Sequence, residues 1–143
     1  MPTHAEKREL PYKPEKLYAL VADMEKYPEF LPWCIGLRVR KREGAVVTAD
    51  MIIGFKMFRE KFTTRVTLDP PHRINVEYLN GPFKYLNNHW IFTPVGENAC
   101  EIDFYVDFEF RSRILQKAIG VVFNEAVKKM INAFETRANQ IYG

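Results

Sequence analysis

The sequence has little of what identifies many functional classes. Cysteine occurs only at Cys34 and Cys100, with no CxxC pair and no histidine at ligand spacing, which argues against a zinc site or a disulfide framework. No apolar run approaches the roughly 20 residues that span a bilayer, and the first residues lack the apolar core of a signal peptide. We therefore expect a cytoplasmic protein whose two thiols are reduced.

An excess of one charge sign is also missing. The chain carries 21 basic and 18 acidic residues, a net charge of +3, which is too balanced for the strong basic field typical of DNA-binding proteins. GxGxxG, P-loop, HExxH and GxSxG motifs are absent, and His4, His72 and His89 share no motif. These absences predict a protein that requires no cofactor or metal, binds no DNA and catalyses no reaction.

The chain is rich in apolar and aromatic residues. Of its 143 residues 47% are hydrophobic and 14% are aromatic, with 11 Phe and 7 Tyr. A chain of this length can bury about two thirds of its unfolded surface around one core. We therefore expect residues 1–143 to form a single domain.

Six segments after Gly36 alternate apolar and polar residues with the period of a β-strand. The clearest are Val46–Phe55 and residues 100–110, and turn signals such as residues 69–72 (DPPH) separate neighbouring segments. Residues 3–10 offer one further strand. Consecutive strands joined by short turns predict a curved antiparallel sheet of about seven strands.

Helical periodicity flanks these strands. A short amphipathic helix is predicted from Pro14, and a second brief helical turn is predicted within residues 24–34. One long helix with a broad apolar face follows Arg113. Because the sheet has one face to bury and this helix is its obvious cover, the predicted fold is α+β, in two layers.

The inner face of this sheet is richer in aromatic residues than shielding by one helix requires. A single inward phenylalanine is usually core filling, so the prediction of an apolar cavity rests on the collective surplus. The residues expected to contact a ligand are Trp33, Phe55, Glu60, Phe62, Tyr78, Asn88, Trp90, Phe92, Phe104, Phe108, Phe123 and Met130.

Two of these candidates are polar residues whose position in the strand alternation, here called inward parity, directs the side chain to the inner face of the sheet. Glu60 lies between Phe58 and Phe62, where an unpaired charge is costly. Its carboxylate should therefore meet an arginine, lie at an exposed strand end, or face a polar group of a ligand. Asn88 could offer its amide to a ligand carbonyl or hydrogen-bond the neighbouring backbone.

A ligand needs a movable edge through which to enter. The proline-bracketed segment 28–34, the loop 81–83 (GPF) and the start of the long helix are the predicted gates. Their gating side chains are expected to be Phe30, Leu31 and Phe83.

Three segments carry a resemblance to a known family. They are residues 27–34 (YPEFLPWC), 60–66 (EKFTTRV) and 81–86 (GPFKYL), the last followed by Trp90. With them the chain resembles the coenzyme-Q-binding START-like family over essentially its whole length, within the wider superfamily of polyketide cyclases and lipid-transport proteins. The resemblance implies a helix-grip fold, in which the sheet wraps around the long C-terminal helix and two short helices follow the first strand.

The resemblance also implies a function and leaves alternatives. It implies binding of ubiquinone or a related polyprenyl quinone or lipid, as a carrier or chaperone in respiration or quinone biosynthesis, with transient contact to a membrane surface. A bacterial relative in the same family is described as a ribosome-association toxin that hinders joining of the ribosomal subunits. A cyclase is the third alternative, for which Glu60 is the candidate acid or base.

The ribosome alternative rests on basic residues of outward parity on the early strands. Such a stripe is either a solvated strand face or a partner surface, nucleic acid included. The residues are Arg38, Arg40, Arg42, Arg59, Lys61 and Arg65.

Overall fold

The computed structural model describes residues 3–31, 33–55 and 58–143, and the side chains of residues 55, 58 and 121–124 lie outside this description. The described elements are, in chain order, β1 (Thr3–Leu10), α1 (Pro14–Ala22), a 3-10 turn (Met24–Lys26), α2 (Tyr27–Phe30), β2 (Cys34–Glu43), β3 (Val46–Phe55), β4 (Phe58–Asp69), β5 (Arg73–Asn80), β6 (Phe83–Val95), β7 (Ala99–Phe110) and α3 (Arg113–Tyr142).

All seven strands belong to one antiparallel sheet. Their order is β1-β7-β6-β5-β4-β3-β2, so the strands from β2 to β7 follow one another as hairpins and β1 closes the far edge beside β7. The predicted α+β fold, with about seven strands, two short helices after the first strand and a long C-terminal helix, is confirmed.

The long helix α3 covers the concave face of the sheet. Ser112 caps its N-terminus, since the hydroxyl oxygen accepts a hydrogen bond from the backbone N–H of Leu115 at 3.2 Å. Val127, Met130 and Phe134 are buried on the face of α3 that meets the sheet. None of the described helices is long and apolar enough to cross a membrane.

A bulge in β2 reverses the side-chain parity that simple alternation predicts. The register with β3 shifts around Arg40, so Arg42 pairs with Val47, which is 1% exposed in the core. On that inner side Arg42 forms an ion pair with Glu25 at 3.0 Å. The prediction that Arg42 belongs to the outer basic stripe is therefore wrong, and Lys41 takes its place.

The Gly-Pro-Phe segment forms a shorter loop than the sequence predicted. Phe83 already belongs to β6, where it pairs with Phe110, and it is only 3% exposed. Its ring stacks on Phe110 with 4.5 Å between centroids and meets Phe62 edge-on at 5.2 Å. Phe83 therefore has the contacts of a core residue and does not reach a lipid surface from this position.

Both cysteines are free and buried. Burial raises the pKa of Cys34 to about 11 and that of Cys100 to about 11. Because only the thiolate is a strong nucleophile, both thiols are poorly reactive at neutral pH.

Candidate ligand-binding cavity

A cavity of about 250 Å³ lies between the concave face of the sheet and α3. Residues of α1, α2 and the strands β2 to β7 contribute to its wall together with α3. The wall is dominated by apolar side chains, with Glu60, Thr64 and Asn88 among its polar members. Such a cavity suits a largely apolar molecule that carries a small number of polar atoms.

Most of the residues predicted from the sequence to contact a ligand lie on this wall, together with two of the three predicted gating side chains. Whether they touch a ligand stays a prediction for each of them. The residues on the wall are Trp33, Glu60, Phe62, Asn88, Trp90, Phe104, Phe108 and Met130, with Leu31 and Phe83 of the gates. The side chains of Phe55 and Phe123 lie outside the described residues.

Three predicted residues lie away from the wall because other side chains cover them. Tyr78 packs edge-on against Phe83 at 5.5 Å, and its hydroxyl oxygen accepts a hydrogen bond from the Phe83 N–H at 3.1 Å. Phe92 is 1% exposed and meets Tyr18 of α1 at 5.7 Å, beyond the end of the cavity. Phe30 packs against α3 from outside the cavity.

Most of the aliphatic part of the wall is absent from the prediction, which apart from Met130 and the gate residue Leu31 named only aromatic and polar side chains. These residues have the same inward parity as their aromatic neighbours, and that parity is the signal that would have found them. They are Ala49, Met51, Ile53, Val66, Ile74 and Val76.

Glu60 lies at the end of the cavity formed by the β3–β4 hairpin. It pairs with Ile53 of β3, whereas the pairing of β4 with β5 begins only at Thr63, so Glu60 lies beyond the end of β5. Trp33 lies at the same end, since its carbonyl oxygen accepts a hydrogen bond from the Gly54 N–H at 2.9 Å. Glu60 is half-buried and has no ion pair or hydrogen bond with any described residue. The predicted structural arginine is therefore not found in the described part of the chain.

Asn88 and Thr64 add uncharged polar groups to the wall. The Asn88 amide donates one hydrogen bond to the carbonyl oxygen of Tyr105 at 2.8 Å, which is the backbone alternative that the sequence left open. Its second N–H and its carbonyl oxygen are not used in that bond. Thr64 is 7% exposed and adds a hydroxyl that can donate or accept.

The segment predicted to gate the cavity is held to α3 by aromatic and charged contacts. Phe30 meets Phe134 edge-on at 5.2 Å. The guanidinium of Arg137 lies 5.3 Å from the centre of the Phe30 ring and forms an ion pair with Glu29 at 3.1 Å. Opening this side of the cavity would therefore require α2 to leave α3.

The cavity offers little acid–base chemistry. Glu60 is the one carboxylate on the described part of the wall, and no histidine lies there. Tyr27 also lines it, but burial raises the pKa of its hydroxyl, which donates to the carbonyl oxygen of Val21. No described cluster of His, Cys, Asp or Glu could hold a metal ion.

The outer face of the sheet carries a cluster of basic residues around a buried carboxylate. The side chain of Asp50 is 6% exposed and accepts a hydrogen bond from the Thr63 hydroxyl at 2.5 Å. Arg40 and Lys61 lie 3.6 and 3.7 Å from its other oxygen, and Arg38 stands opposite it in the β2–β3 register. Asp50 therefore gathers cationic side chains on the edge of the sheet that is distant from the acidic strand β7.

A curved antiparallel sheet that grips a long C-terminal helix around an apolar cavity defines the START-like helix-grip class. A START superfamily protein from Mycobacterium smegmatis has this fold, with a TM-score of 0.83 over 97% of this chain and 98% of that one. At 17% identity this likeness shows the fold alone.

The chain belongs to the family described as polyketide cyclase / dehydrase and lipid transport, whose model matches residues 10–135. The ribosome association toxin RatA of Escherichia coli K12 is 38% identical over 133 residues, which are 93% of this chain and 84% of that protein. The mitochondrial coenzyme Q-binding protein COQ10 homolog B of Xenopus laevis is 33% identical over 144 residues, 98% of this chain and 59% of the frog protein. The family resemblance predicted from the sequence is confirmed.

Proposed function

We propose that this protein binds a polyprenyl quinone such as ubiquinone, or a related lipid, in the cavity and carries or presents it without chemical change. The observation that carries this proposal is a cavity of about 250 Å³ whose wall is apolar apart from a small number of polar side chains. A quinone has the matching design of an apolar tail and a flat ring with polar oxygens. The relationship to the frog coenzyme Q-binding protein supports the same ligand class.

The tail and the ring of the proposed ligand contribute differently to binding. A tail that leaves a bilayer exchanges one apolar environment for another, so it gains little of the roughly 0.8 kcal/mol per CH₂ that leaving water would give. Selectivity must then come from the ring, which can stack on Trp33 or Trp90 and receive hydrogen bonds from Asn88. Transient contact with a membrane surface is part of this proposal, because the ligand resides there.

The two tryptophans provide a direct assay. Trp33 and Trp90 are the chain's only tryptophans, and both line the cavity. A quinone in contact with an indole ring accepts an electron from its excited state and quenches the fluorescence. Titration with a short-tailed ubiquinone should therefore quench saturably, and mass spectrometry of freshly purified protein should detect a quinone or lipid. Absence of both results would refute the proposal.

A bulky side chain in the cavity should block binding. We expect Ala126→Phe to weaken quinone binding at least tenfold, because Ala126 of α3 lines the cavity and the added ring would fill it. The unliganded protein should lose little stability, since the ring enters existing space and avoids most of the 1–3 kcal/mol that overpacking costs, roughly. Fluorescence titration and urea unfolding measure the two effects. Glu125→Phe, on the exposed neighbouring position, is the matched control and should bind normally.

Interference with ribosomal subunit association is the second candidate function, and the basic cluster on the outer face favours it. Arg38, Arg40 and Lys61 are all exposed around Asp50 and could meet phosphate groups of RNA. The E. coli relative named ribosome association toxin supports this alternative. The outer face and the cavity lie on opposite sides of the sheet, so the two functions can be tested separately.

The ribosome candidate predicts a salt-dependent interaction through β4. We expect the double variant Arg59→Gln/Lys61→Gln to weaken binding to ribosomal subunits and to lower the slope of log K against log salt by about 2, one for each lost phosphate contact. Sedimentation of purified subunits at several salt concentrations measures this slope. Lys128→Gln/Lys129→Gln on α3 removes the same charge and should have no effect. A wild-type affinity for ribosomal subunits that does not change with salt concentration would contradict the RNA interaction.

A further inference from the structure

The charged group on the cavity wall accepts hydrogen bonds and donates none. As a carboxylate, Glu60 offers two oxygens with lone pairs and no N–H or O–H. It lies on the wall without an ion pair or hydrogen bond to any described residue. Glu60 is half-buried, and a ligand that covered it without offering a donor would leave the charge unpaired beside apolar surface, which is costly, whereas a donor from the ligand would satisfy it. A ligand that carries an O–H group at this position is therefore favoured over one that carries only acceptors.

The geometry points to selection of the redox state of the ligand: Glu60 makes the cavity bind the reduced quinol in preference to the oxidised quinone. This inference rests on the proposed quinone-binding function. A quinone ring presents two carbonyl oxygens, which repel a carboxylate. Reduction by two electrons and two protons converts each carbonyl into an O–H, and one of these can donate to Glu60. The protein itself performs no redox step, since it only binds one form more tightly.

The remaining polar groups discriminate less between the two forms. The second N–H of Asn88, which is not used in the bond to Tyr105, can donate to a carbonyl or to a hydroxyl oxygen, and the amide oxygen can accept from a quinol. The Thr64 hydroxyl can act in either direction. Glu60 is the charged member of this set, and hydrogen bonds to a charged group are about twice as strong as those between neutral groups. It therefore decides the preference.

The preference can be measured by calorimetric titration at neutral pH with a short-tailed ubiquinone and with the same molecule reduced by dithionite. We expect the quinol to bind at least tenfold more tightly, which raises the midpoint potential of the bound couple by about 30 mV per tenfold ratio. Glu60→Gln should bring the two affinities to within about threefold, because an amide both donates and accepts. Glu77→Gln, on the outer face with its side chain 63% exposed, should keep the wild-type ratio.

A second ligand tests the same idea without a variant. The dimethyl ether of the quinol retains the reduced ring but has no O–H donor, so it should bind the wild-type protein no more tightly than the quinone does. Equal affinities of wild-type protein for quinol and quinone would overturn the inference while leaving quinone binding in place. A quinol preference that survives in Glu60→Gln would overturn the role of Glu60. Failure of both forms to bind would overturn the proposed function and this inference with it.

Discussion

Replacing Gly81 with alanine is expected to destabilise the protein by about 2–6 kcal/mol, the sum of 1–3 for a strained backbone and 1–3 for overpacking. Gly81 has φ +147°, a conformation that L residues rarely adopt. A Cβ at this position would lie 2.5 Å from Cβ and 2.9 Å from Cα of Phe62. The backbone of β4 would have to move, because a contact with Cα cannot be relieved by rotating a side chain. Urea unfolding should show a lower midpoint with an unchanged slope.

Gly44→Ala is the matched control for this variant. Gly44 also has a positive φ, +58°, but a Cβ there would meet nothing within 4 Å. Its cost should therefore be only the left-handed backbone penalty, about 1–2 kcal/mol. If Gly81→Ala costs no more than Gly44→Ala, the close approach of Gly81 to Phe62 has no energetic consequence. Since Phe62 lines the cavity, Gly81→Ala should also weaken quinone binding, whereas Gly44→Ala should not.

The alternation of residues predicted the sheet well where the strands are regular. In β7 every second residue from Cys100 to Phe110 faces the core side, as predicted, because one buried face fixes the register along its whole length. In β2 the same reasoning failed at Arg42, because the bulge around Arg40 inserts one residue and no turn residue marks it in the sequence. The alternation therefore predicts which face a side chain occupies only within a stretch of strand that contains no bulge.

Parity alone does not determine burial on the outer face. Asp50 has outward parity, and an outward aspartate is expected to be exposed. It is buried because Arg40 and Lys61 on the adjacent strands β2 and β4 fold over it. This arrangement depends on cross-strand register, which brings together residues that are distant in the sequence. A single strand's pattern contains no information about that register.

The candidate cavity could be predicted as a property of the inner face but not in its extent. Phe92 and Trp90 have the same parity, yet Phe92 is covered by Tyr18 while Trp90 lines the cavity. The difference arises from the position of α1, which packs against that end of β6. Parity tells which residues face inward, and only the packing of the helices decides whether an inward residue meets a neighbour or open space.

Trp90→Ala is expected to cost about 3–5 kcal/mol, the range for removing a large aromatic residue from a core. Trp90 is 5% exposed and lies at the centre of an aromatic cluster. Its ring is 4.6 Å from that of Phe104 and 5.1 Å from that of Phe134, between centroids. Together with Val21, these three residues also line a second, much smaller pocket of about 10 Å³, so the four side chains lie between it and the main cavity. Removal of the indole would join the two spaces and leave a void that the rigid sheet cannot close.

Trp33→Ala is the control for Trp90→Ala, because it also removes a tryptophan from the cavity wall but leaves the packed cluster around Trp90 intact. Trp33 is only half-buried, so its removal loses less buried area and leaves a smaller cavity than removal of Trp90. We expect it to lower the free energy of unfolding by about 1–2 kcal/mol. Urea midpoints followed by circular dichroism compare both variants without relying on tryptophan fluorescence. A domain of this size is typically stable by about 5–15 kcal/mol, so a loss of about 5 kcal/mol would prevent isolation of Trp90→Ala if the wild-type stability lies at the lower end of that range. Trp90→Phe then replaces it and should still cost more than Trp33→Phe. If the two positions lose the same free energy of unfolding, the cluster around Trp90 does not stabilise the wall between the two spaces.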